Sequence, residues 1–111
     1  MIEQTVMDYL SALLDAPVLP EVPPDPPARF YVVEKTGGGR SEGLYHATLA
    51  VQSYAPDLPG AMRLNEAVKD AMLALDDLDD ICCVELNTDY RFTDPSLKRR
   101  RYQAVFDVVY Y

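Results

Sequence analysis

A chain of 111 residues with 49% hydrophobic side chains can bury one core and is too short for two domains of ordinary size. Its formal net charge of −8 opposes non-specific attraction to nucleic acid or to an anionic membrane, and no apolar run approaches the roughly 20 residues that span a bilayer. Glu3 and Asp8 stand where a secretory leader carries cations, so no leader is expected.

Residues 1–14 predict a helix, because Ile2, Val6, Leu10, Leu13 and Leu14 recur at helical spacing. Asp15-Ala16 makes the exit and Pro17 ends it. Residues 17–28 read as a stiff, proline-punctuated arm. Missing N–H groups bar this arm from a sheet interior, although Val18 to Val22 suits a short edge strand. Residues 29–35 predict a strand, 36–43 a flexible glycine turn, and 44–54 a long strand that closes the hairpin. In that second strand Tyr45, Ala47, Leu49 and Val51 are expected on the buried face. A hairpin of this length is expected to bend or to project from the body.

Residues 59–77 predict a second helix capped by Asp57, with Pro59 in its first turn. Its apolar face is Ala61, Leu64, Val68, Ala71, Met72 and Leu75. Residues 81–88 and 102–110 predict the last two strands, joined by a polar connection over 89–100; Tyr102, Ala104, Phe106, Val108 and Tyr110 are expected to face the core. The order helix, hairpin, helix, hairpin predicts a single α+β domain over 1–111. Its two helices pack on one face of a mostly antiparallel sheet of four to five strands.

The candidate chemistry is sparse. Gly37-Gly38-Gly39-Arg40 has the composition of a phosphate loop, but a strand follows it where such a loop needs a helix N-terminus. His46 is the single histidine and has no evident partner for acid–base or zinc chemistry. Cys82 and Cys83 are neighbours that point apart on a regular strand. They are expected to be reduced, half-buried and without a disulfide, as in a cytoplasmic protein. Asp76, Asp77, Asp79 and Asp80 lack the central glycine and closing glutamate of a calcium loop, and read as solvated acids or as a protein-docking or pore-lining surface.

Lys98-Arg99-Arg100-Arg101 is the one dense basic run. It lacks interleaved aromatics in sequence, and reads as a solvated strand entry, a salt-bridging surface or a nucleic-acid contact, in that order. No catalytic residue, cofactor or metal is expected. The interaction candidates are Arg40, Asp76, Asp77, Asp79, Asp80, Lys98, Arg99 and Arg100.

Several segments together resemble small tail-assembly proteins of phages and prophages of Gram-positive bacteria. They are Phe30-Tyr-Val-Val-Glu-Lys-Thr-Gly-Gly-Gly-Arg, Leu49-Ala-Val-Gln-Ser-Tyr, Leu64-Asn-Glu-Ala-Val-Lys, Asn87-Thr-Asp-Tyr-Arg-Phe-Thr-Asp and Arg101-Tyr-Gln-Ala-Val-Phe-Asp-Val-Val-Tyr. The pattern is similar to the tail-terminator (tail-completion, head–tail joining) proteins of long-tailed phages, over nearly the whole chain except the proline arm. The resemblance implies a non-enzymatic α+β subunit that forms a hexameric ring. That ring caps the tail tube, meets the tube protein on one side and the head connector on the other, and lets DNA pass without binding it specifically. No functional motif carries over residue by residue. Two other functions compete: a nucleic-acid-binding regulator using residues 98–101, and a small enzyme whose site near His46 or Cys83 forms only on assembly.

Overall fold

The computed structural model describes residues 1–92 and 99–111. Helix α1 (Ile2–Leu13) leads into a short strand β1 (Val18–Leu19). The long hairpin β2 (Phe30–Ser41) and β3 (Leu44–Ala55) follows, then helix α2 (Leu58–Leu73), a 3-10 turn (Leu75–Asp77), β4 (Ile81–Arg91) and β5 (Arg100–Tyr110). Among these residues the strands form one sheet in the order β1-β2-β3-β5-β4. Every pairing is antiparallel except β1 with β2, where the proline arm returns alongside Tyr31 and Val32. The architecture is the expected α+β fold, with both helices on one face.

The strand register explains that layering. Paired residues project to the same side. Val33, Val51 and Ala104 therefore make one row, Leu49, Phe106 and Leu86 the next, and Ala47, Val108 and Val84 a third. These rows pack against Ile2, Val6 and Leu10 of α1 and Val68 and Met72 of α2 in one apolar cluster. Leu13 is exposed and Leu14 only half-buried, so the stripe of α1 is narrower than expected. In α2, Val68 is buried but Leu64 is half-buried, because it lies at the margin of the helix–sheet seam. Asp57 caps α2 as expected, its Oδ1 accepting from the Gly60 N–H at 2.7 Å.

Several expected boundaries move. The 36–43 segment is not a flexible turn: β2 runs through all three glycines, which pair with Thr48, Ala47 and His46. Only Glu42 and Gly43 turn the chain, both with positive φ (54° and 82°), as a two-residue hairpin needs to match strand twist. Backbone pairing with β3 outweighs the entropy cost of the glycines. A bulge between Lys35 and Gly37 absorbs the extra residue. Helix α2 ends at Leu73 rather than 77, and buried Leu75 draws the 3-10 turn onto the core. Both C-terminal strands are longer than expected, reaching Arg91 and starting at Arg100.

Tyr45 is exposed rather than buried, since the hairpin tip runs past the end of the helices. Cys82 and Cys83 are both exposed. The half-buried expectation fails because a bulge between Ile81 and Cys83 lets Ile81 enter the core while the extra residue breaks the alternation.

Two charged ends and an open sheet face

The molecule is elongated, 44 × 25 × 24 Å, with its strands ending in two chemically different groups. Tyr45 pairs with Tyr110, and Tyr110 with Ile81, so the hairpin tip, the end of β5 and the start of β4 share one end. Ala55 pairs with Arg100 and Tyr54 with Arg101, which places the start of β5 at the other. The eleven residues of β5 separate these ends by roughly 33 Å.

The first end carries Asp76, Asp77, Asp79 and Asp80, all exposed, on the link from α2 into β4. The Asp80 carbonyl accepts from the Tyr111 N–H at 3.0 Å, which fixes this link beside the end of β5. Arg40 belongs to this end too. Its guanidinium lies 5.3 Å from the centre of the Tyr45 ring, and that ring stacks on Tyr110 at 5.4 Å. Tyr9 titrates above its usual range, through burial first and then through the nearby charges of Asp77 and Asp76.

The second end carries arginines seated on aromatic rings. Arg101 donates from Nε to the Phe92 carbonyl at 2.6 Å and from Nη1 to the Tyr54 hydroxyl at 3.0 Å. Its guanidinium stands 4.0 Å from the centre of the Phe92 ring, and Tyr54 stacks on buried Phe30 at 4.5 Å. Arg99 reaches over Phe30 and donates to the Pro26 carbonyl at 3.3 Å, tying the proline arm to the sheet. Arg29, Arg91 and Arg100 are exposed around them. The structure thus separates the candidates: Arg40 and the four aspartates lie at one end, Arg99 and Arg100 at the other, and Lys98 lies outside the described residues.

Sequence reasoning missed this aromatic backing. Phe30, Tyr54 and Phe92 come from three other segments, and no local pattern joins them to Arg99 and Arg101. Between the two ends, the face away from the helices carries polar side chains. Gln52 donates to Gln103 at 2.8 Å and to Glu34 at 3.2 Å, and Asp107 accepts from Thr48 and Asn87. His46 is exposed near the hairpin tip, and among the described residues no group of three or more His, Cys, Asp or Glu side chains is placed to hold a metal. The Cys83 thiol titrates above its ordinary range, from desolvation first and then from Cys82, Glu85 and Asp76. That shift lowers its thiolate fraction at neutral pH.

On the helix side, Lys69 bridges Glu66 at 2.8 Å and Asp89 at 2.9 Å. Asp89 also accepts from Asn65, and its pKa falls, chiefly through the Lys69 hydrogen bond and then that of Asn65. Among the described residues no helix is long and apolar enough to cross a membrane. The sequence matches no protein-family model, and comparison with curated proteins finds no match.

Proposed function

We propose that this chain is a structural subunit of phage tail assembly, of the tail-terminator type, which caps the tail tube as a ring and joins it to the head connector. The observation that carries the reading is the placement of an aspartate cluster at one end of an elongated subunit and an arginine cluster at the other. A self-complementary patch closes a two-fold dimer, whereas two different, complementary surfaces drive head-to-tail contacts, which close into rings where the rotation between copies closes and otherwise extend into filaments. The family resemblance of the sequence supplies the particular assembly and the expected six copies. On this reading the subunit works without catalysis, cofactor or metal, first in the host cytoplasm and then at the virion neck. Its negative balance lets DNA pass without adhering.

Electron microscopy of tail tubes assembled with and without the chain tests this. A ring of density at one tube end, present only with the chain, is the expected result. Tubes that terminate and join heads equally well without it refute the proposal. The arginine–aromatic end favours one second reading, a nucleic-acid contact, because arginines and rings together form stacking surfaces. Sub-micromolar, salt-sensitive binding of duplex or single-stranded DNA would put that reading first.

A further inference from the structure

We infer that the arginine end of the sheet is a seat for the acidic junction Asp76–Asp80 of a second copy of this chain. The inference rests on the assembly reading above and names the contact through which it operates. Among the described residues the only ion pairs are those of Lys69. Among the described residues, Arg91, Arg99, Arg100 and Arg101 therefore have no carboxylate within 4 Å, and neither do the four aspartates a cation. The two groups cannot neutralise one another within one subunit. About 33 Å separates them, against a Debye length of ~8 Å at physiological salt. Their pairing has to be between molecules.

The seat is built before its occupant arrives. Arg101 is held by two hydrogen bonds and lies against two rings, and Arg99 is held by Pro26. Much of the rotamer freedom that binding removes is already gone. The Nε of Arg99 is buried and has no acceptor within the described residues. Phe92, which lies under Arg101, and Tyr90 beside Phe92 stay substantially exposed and supply apolar area to a contact that is otherwise polar. A guanidinium matches a carboxylate in bidentate geometry, and the junction offers four carboxylates within five residues.

A charge swap tests the contact, using two exposed side chains that make no hydrogen bond or ion pair among the described residues, Arg100 and Asp79. Self-association of the wild-type chain is followed by sedimentation velocity up to about 1 mM, the weakest regime of specific affinity worth testing. Arg100→Glu and Asp79→Lys should each weaken it by about tenfold or more. The double variant should recover it, because the reversed charges again face one another. An equimolar mixture of the two single variants should likewise recover it, since each intact seat can meet an intact junction and each reversed seat a reversed junction.

Circular dichroism melts of each variant keep misfolding apart from lost contact. A wild-type chain that stays monomeric, single variants that associate like wild type, or a double variant as weak as either single one each overturn the inference. If rings still form on tail tubes from the single variants, the assembly reading stands and this contact falls. An oligonucleotide that binds wild type and not Arg100→Glu, with self-association unchanged between them, reassigns the seat to nucleic acid and also overturns it.

Discussion

The two faces of the sheet are built from the same strands and hold together by different physics. The face under the helices is dry: Leu49, Val51, Ala104 and Phe106 are fully buried against Val6, Leu10, Val68 and Met72. The opposite face has a small apolar cluster of Phe30, Val32 and Tyr54 at one end and otherwise a ladder of amide, carboxylate and hydroxyl groups. Burial supplies stability in proportion to area, whereas a hydrogen bond on a partly wet surface exchanges one partner for another. Stability therefore sits on the helix side, which leaves the other face and the two ends available for contact chemistry.

The largest expected effect separates the faces directly. Phe106→Ala opens a cavity in the helix-side core and should cost about 3–5 kcal/mol in urea unfolding, enough to threaten the fold. A loss below about 1 kcal/mol would mean that the helix-side core is not the stabilising layer.

Tyr31 gives the next largest effect, and a pH signature. Its hydroxyl donates to the Leu64 carbonyl at 3.0 Å, and burial, with a smaller push from Asp15, raises its pKa to about 12. The neutral phenol is the form the fold favours. Its contribution is complete below the ordinary tyrosine value near 10 and is lost as pH rises toward 12, a loss on the order of 2 kcal/mol. Tyr31→Phe should lose about 1 kcal/mol at neutral pH and should flatten the alkaline limb of stability against pH. An alkaline limb as steep as that of wild type would show that another group controls it.

On the open face, Gln52→Ala removes the bonds to Gln103 and Glu34. Half-exposed Gln103 can turn to water, so the cost should be about 1 kcal/mol or less in the same denaturant series. A cost comparable to Phe106→Ala would erase the contrast between the faces. The smallest effect is at the helix–sheet margin. Lys69 and Asn65 lower the pKa of Asp89, so its stabilisation is present above the ordinary carboxylate range and fades as pH falls through the lowered value. Asp89→Asn should lower the neutral midpoint slightly and, by the same amount, make stability less sensitive to acid below about pH 4. An unchanged acid limb would assign it to other carboxylates.

Periodicity made most of this fold legible. Apolar residues at helical spacing located both helices, alternation over 44–54 and 102–110 located the two central strands, and an aspartate before a proline marked the start of α2. Local chemistry was less informative where pairing decides conformation. Three consecutive glycines read as a loop, yet backbone hydrogen bonds to β3 hold them as strand. Alternation likewise assigned Tyr45 to the core and Cys82 and Cys83 to half-burial. The projection of the hairpin beyond the helices and the bulge after Ile81 placed all three in solvent.

The class of fold, the burial of Val68 and Phe106, and the two clusters of opposite charge were legible along the chain, because each follows from periodicity or composition within a few positions. Only the tertiary structure decided that those clusters lie at opposite ends and that Phe30, Tyr54 and Phe92 stand under the arginines. The physical reason is strand pairing. Register joins residues 47 positions apart, such as Tyr54 and Arg101, and no local pattern of charge or hydropathy encodes which strands will be neighbours.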